Sequence, residues 1–208
     1  MRLNCNVPSR YEAELLIANG HNKNPGPWVN HCKITARAAE TIAKNCGMDV
    51  EMAYIAGLLH DIGYTGFRDF KGRTGHIVIG YEDMLEKGFG AIARICLSHS
   101  FPYKDIGAYG GRDTNWSDAE KAMICQFLVE TDFDDYDKLI QLCDALATPQ
   151  SICLIDKRMM DVVRRHGFSD YTVKKWNATF ELKDYFDAKC SANIYNFFAE
   201  EIVHDILG

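Results

Sequence analysis

His60 and Asp61 stand side by side in GLLHDIGY, residues 57–64, at the end of an apolar stretch. Imidazole nitrogen and carboxylate oxygen together ligate Zn, Fe, Mn, Co or Ni. Four more residues of those types bracket the pair: His31 before it, and His76, His99 and Asp144 after it. Neighbours on a helix point about 100° apart, so both members of the pair reach one metal only from a helix end or a bend. Gly57 and Gly63 flank the pair and permit close approach and a bend. The ordered series His, His-Asp, His, His, Asp, each at or near the edge of an apolar helical segment, carries the argument. A second His-Asp dipeptide, His204-Asp205, is read as chance.

His31, His60, Asp61 and Asp144 can complete one metal site. His76 and His99 can hold a second ion, with Asp61 bridging. Two metals ~3.5–4 Å apart can share a hydroxide and clamp a phosphate, and both would neutralise charge on the phosphoryl oxygens. Taken singly, a helical His is more often a hydrogen-bonded core or surface group than a ligand. The acids weigh against that reading here. Asp61 follows a buried-type His in an apolar helix, and Asp144 sits in LIQLCDALA, where an unpaired carboxylate is costly to bury. His21, His166 and His204 are assigned no ligand role: His21 lies in a Gly/Asn/Pro loop, and His166 precedes Gly167 at a helix end, where it complements the dipole.

The elements that must position these groups read as helical almost throughout. Ser9-x-x-Glu12 is a capping box for a helix that Asn19-Gly20 is expected to stop. A second helix spans Trp28 to Cys46, with Gly47 as its stop and His31, Ile34, Thr35, Ala38 and Ile42 along one stripe. Asp49 caps a third helix that reaches His60. A fourth runs from His76 to Lys87-Gly88, and a fifth from Gly90 to about His99, which Pro102 prevents from continuing. Residues 64–75 form a polar loop, and 100–116 a long one rich in Gly and aromatics. Ser117-x-x-Glu120 opens a sixth helix, and Asp134 or Asp135 a seventh that carries Asp144. Three more follow near 151–165, 170–188 and 191–207. No useful strand pattern, repeat or linker is present. The expectation is one all-α domain over residues 1–208 with roughly nine or ten helices, its metal-binding core at about 10–147 and a C-terminal helical extension at 150–208.

The 208 residues and 47% hydrophobic content support a real core. The net charge of −6 argues against binding long nucleic acids. No run of about 18 apolar residues is present to span a membrane, and MRLNCNVPSR lacks an apolar signal core. Of the eight cysteines, Cys46, Cys96, Cys125, Cys143 and Cys153 sit singly among apolar residues and read as small buried thiols, without metal-site spacing or a disulfide framework. That usage fits a reducing cytoplasm. The sequence leaves the oligomeric state open, a homodimer included.

The order His31, His60-Asp61, Asp144 resembles the HD superfamily of metal-dependent phosphohydrolases, an all-helical fold, and GLLHDIGY is close to its HDIG-type core. The added His76 and His99 resemble the six-ligand subgroup that binds two metals, which includes YqeK-like dinucleoside tetraphosphate hydrolases and HD-GYP cyclic-dinucleotide phosphodiesterases. GHIVIGYEDML followed by IARICLSHS is similar to that subgroup's spacing. The likeness covers about residues 10–147. Two departures separate the chain from the cyclic-dinucleotide enzymes: Gly80-Tyr81 is followed by Glu82 rather than Pro, and His99 lies between Ser98 and Ser100 rather than in a His-His pair.

The resemblance implies hydrolysis of a small phosphorylated metabolite or nucleotide by a metal-bound hydroxide, with one or two divalent transition metals, a dinuclear Fe or Mn centre foremost. No Ser, Cys or Thr stands in a nucleophile motif with a His, so water is the expected nucleophile, with His60 and Asp61 at the chemistry. Arg68, Lys71, Arg73, Lys104 and Arg112 lie in loops beside the ligands; Arg73, Lys104 and Arg112 are the candidate substrate contacts. Tyr103, Tyr109 and Trp116 can stack on a base or close the site. Lys157-Arg158, Arg164-Arg165, Lys174 and Lys175 read as surface charges, with Arg158 able to turn inward. Two other functions use the same ligands. Some HD-fold proteins use a di-iron pair for oxygen-dependent cleavage, as in the inositol oxygenase type. A non-catalytic metal-stabilised sensor is the third reading, against which an intact six-ligand set speaks.

Overall fold

The computed structural model describes residues 5–66, 75–109 and 115–207. Ten α-helices make up the described fold: α1 (Arg10–Lys23), α2 (Trp28–Cys46), α3 (Val50–Leu59), α4 (His76–Glu86), α5 (Gly90–Ser98), α6 (Asp118–Glu130), α7 (Asp135–Leu146), α8 (Ile155–His166), α9 (Thr172–Cys190) and α10 (Ala199–Leu207). Short 3-10 turns occupy Ile62–Gly66, Ile106–Ala108 and Ile194–Phe198. The fold is all-α; among the described residues the sole β feature is a bridge between Ala147 and Ile152.

Local chemistry sets most boundaries. Ser9 and Ser117 form complete capping boxes with Glu12 and Glu120. Asp49 accepts from Met52 N, and Asp134 from Tyr136 N and Asp137 N. Each such cap stabilises its helix by about 1 kcal/mol. Gly47 ends α2 at φ 68°, a left-handed conformation that glycine adopts without strain.

The core lies between α2, α3, α7 and α9. Ala36, Ala39 and Ile42 of α2 meet Ala53, Ala56 and Leu59 of α3 and Leu139, Leu142 and Leu146 of α7, all fully buried. The helix axes come close because the contact is small: a Cβ on Gly57 would lie 2.7 Å from Ala36 Cα. A second buried cluster joins Ile77, Val78, Leu97, Phe101, Trp116, Ile124 and Leu128 from α4, α5, α6 and the segment between them. That segment is therefore anchored by Phe101, Ala108 and Trp116 rather than lying wholly on the surface.

Two expectations are corrected. The first helix passes through Asn19-Gly20 to Lys23, because Gly20 is a packing notch: a Cβ there would meet Thr65 Oγ1 at 2.4 Å and the Trp28 ring at 2.9 Å. The cysteines also divide differently. Cys32, Cys96, Cys143 and Cys153 are buried free thiols, but Cys125 is exposed and Cys46 forms a disulfide with Cys190. The ends of α2 and α9 converge to a Cα–Cα distance of 4.6 Å across 144 residues of chain. The bridge withdraws cysteine usage as an argument for a reducing compartment. No helix among the described residues is long and apolar enough to cross a membrane.

Candidate metal centre

His60 and Asp61 sit where α3 gives way to the 3-10 turn, so both side chains turn toward one place. His60 retains helical φ and ψ as the C-cap of α3, and Tyr64 N–H donates to Asp61 O at 3.0 Å. Gly63 allows the turn to press on α4: a Cβ there would lie 1.9 Å from His76 O. α2 brings His31 from the opposite side, α4 contributes His76 at its first residue, α5 ends at His99, and α7 contributes Asp144 two residues before its end.

All six predicted ligands converge. His31 Nε2 lies 2.9 Å from Asp144 Oδ1, 3.3 Å from His60 Nε2 and 3.9 Å from Asp61 Oδ2. His60 Nε2 is 3.5 Å from Asp61 Oδ2. On the other side of the same carboxylate, Asp61 Oδ1 lies 3.0 Å from His76 Nε2 and 3.3 Å from His99 Nε2. Two groups with metal-ligand spacing result, His31–His60–Asp61 and Asp61–His76–His99, sharing Asp61.

The far side of each ring fixes its direction. His60 Nδ1–H donates to Gly57 O at 2.7 Å, and His99 Nδ1–H to Ile95 O at 3.2 Å, which leaves each Nε2 facing the cluster. His76 stacks on Tyr64, with centroids 4.3 Å apart and planes 10° from parallel, and its Nδ1 shares a hydrogen bond with the Tyr109 hydroxyl at 3.3 Å.

Burial sets the charges. It lowers the His60 pKa to about 4, against the opposing pull of Asp61, so this ring is neutral near pH 7. Burial would raise Asp61, but His60 and His76 hold it well below the usual carboxylate range. Asp144 is likewise lowered, with the His31 hydrogen bond and charge overcoming burial. Burial disfavours protonation of His99, yet the adjacent Asp61 carboxylate raises its pKa.

The donor set suits a divalent transition metal: four imidazoles and two ionised carboxylates. Asp61 Oδ1 is fully buried and has no aligned hydrogen bond, although it faces two imidazole nitrogens. Leaving such an oxygen unmatched is costly, and a cation between it and those nitrogens would satisfy it. The family model for the HD domain matches residues 28–148, which contain all six residues and more than half the chain. The chain belongs to the HD domain family. That membership places it in the metal-dependent phosphohydrolase superfamily, and the His/Asp cluster suggests divalent-metal binding. Neither the curated proteins nor the solved structures give a match.

The HD domain's candidate substrate residues fare differently. Lys104 pairs with Asp132 at 3.3 Å and lies 5.6 Å from the Phe133 ring; among the described residues no contact brings it to the cluster. Arg73 and Arg112 lie outside the described residues, as do Arg68 and Lys71. Tyr109 and Trp116 pack on each other at 4.7 Å beside His76. Lys175, read from sequence as a surface charge, is half-buried, and its Nζ donates to Ser100 O at 3.5 Å. Sequence reasoning gave no orienting role to Tyr64, which its place three residues after Asp61 would have suggested. Gly57 was singled out for close approach, not for the carbonyl that orients His60.

Proposed function

We propose that this protein is a metal-dependent phosphohydrolase acting on a small phosphoester or nucleotide. The reading is supported above all by Asp61, whose two oxygens face two separate sets of imidazoles. His31, His60, Asp61 and Asp144 would hold one divalent ion; Asp61, His76 and His99 would hold a second, Fe or Mn foremost. When bound, such ions lower the pKa of a coordinated water and neutralise charge on phosphoryl oxygens.

The chain's own residues supply the rest. Gly57 O, Ile95 O and Tyr109 keep the imidazoles of His60, His99 and His76 aimed inward. The buried thiols of Cys32 and Cys96 are pushed well above the usual range, first by burial and then by Asp61, so neither offers a thiolate nucleophile. Water is the remaining nucleophile. A bond forms between its oxygen and phosphorus, the phosphorus–oxygen ester bond breaks, and the leaving alcohol takes up a proton.

Turnover of a panel of small phosphoesters and nucleotides in oxygen-18 water tests this, using metal-reconstituted protein without oxygen. The expected result is one solvent oxygen in each released phosphate. Product that forms only with O₂, carrying oxygen from the gas, would transfer the protein to the di-iron oxygenases.

A further inference from the structure

The six cluster side chains are not equally covered. Asp144 is 32% exposed, whereas His76, next in order, is 11% exposed and His60 is 0%. Among the described residues, the most open side of the cluster is thus beside Asp144.

The C-terminal helices reach that side. The start of α9 lies over the segment that follows His99. Tyr171 packs on Gly107 so closely that a Cβ on the glycine would lie 2.3 Å from the ring. Lys174 Nζ sits 4.4 Å from the centroid of the Tyr103 ring. One residue further, Lys175 Nζ reaches Ser100 O at 3.5 Å, a long hydrogen bond, and it feels the charges of Asp144 and Arg158. Arg158 on α8 is mostly covered and pairs with Asp161 at 3.6 Å.

Lys175 makes no ion pair among the described residues. An ammonium has three donors, and here one long bond to a carbonyl is its hydrogen bond among those residues. A half-buried lysine with donors to spare, at the open edge of a cluster of metal-ligand type, is poised for an anion. Building on the phosphohydrolase reading, we propose that Lys175 binds the phosphoryl group of the substrate. The residue that binds the phosphoryl group would then come from α9, outside the segment that matches the HD domain. The position favours a small phosphate monoester or a terminal phosphate, whose non-bridging oxygens can accept from an ammonium.

Inorganic phosphate is the probe. Its affinity for the full-length, Mn-loaded protein is measured by titration calorimetry for wild type, Lys175→Met, Lys175→Arg and Lys174→Met, with metal content and melting temperature determined for each. Lys175→Met should weaken phosphate binding tenfold or more with full metal content. Lys175→Arg should recover part of the loss, and Lys174→Met should match wild type. Equal phosphate affinity in wild type and Lys175→Met overturns the proposal. So does loss of metal or of the fold in Lys175→Met and Lys175→Arg alike, which would make the lysine structural. Wild type that takes up no metal defeats the phosphohydrolase reading instead, so the two failures are separate.

Discussion

A ligand's outer hydrogen bond matters because an imidazole has two nitrogens and only one can face a metal. His60 and His99 are oriented by backbone carbonyls, which no side-chain substitution removes. His76 depends on side chains, the Tyr109 hydroxyl and the stacked Tyr64 ring. Tyr109→Phe should therefore weaken metal binding at the His76 position by about tenfold, as removal of such outer partners commonly does. Competition with a graded chelator measures this, and an affinity equal to wild type would remove Tyr109 from the account. At this scale the sequence spoke through residue type and order. The six side chains of the cluster were all legible because a His or Asp in an apolar run demands a partner. Tyr109 was noticed for a different reason, since its position in a long aromatic loop says nothing about which imidazole its hydroxyl meets.

The turn from α3 into α4 rests on glycine at Gly63, where a Cβ would collide with backbone at His76. Backbone cannot yield as a flexible side chain can. Gly63→Ala should cost about 2–3 kcal/mol or more by overpacking, and should lower metal retention because His76 moves with α4. Thermal melting and metal analysis of the variant check both; a melt unchanged from wild type would mean that the turn adapts. The helices themselves were legible where their signals are local. Ser9, Asp49, Ser117 and Asp134 cap as their spacing implies, and Gly47 terminates α2. Gly20 was misread because its role is tertiary: the Trp28 ring occupies the space a side chain would fill. Local propensity cannot distinguish a helix-ending glycine from one that makes room.

Over the whole molecule, long-range contacts separate what the sequence reveals from what it hides. Neither the Cys46–Cys190 bridge nor the approach of Lys175 to Ser100 has a local signal, since each joins the C-terminal helices to chain far upstream. The cluster also ties folding to protons. In metal-free protein, the raised His99 pKa adds stability below pH 6.5 that is lost as pH rises through the raised value. His60 acts on the acid side: its pKa falls from 6.5 to about 4, so the unfolded chain takes up that proton first and stability drops across this window. Urea midpoints of metal-free protein should peak near pH 6.5, and bound metal should remove the alkaline decline by replacing the His99 proton. A His60→Gln variant that keeps the whole acid decline would contradict the assignment. The central claim is that Asp61 serves two metal positions at once. Metal content at saturation, in wild type and in the His76→Ala/His99→Ala double variant, tests it most directly. The account predicts two equivalents per chain in wild type and one in the double variant; one equivalent in wild type, or two in the double variant, would contradict it.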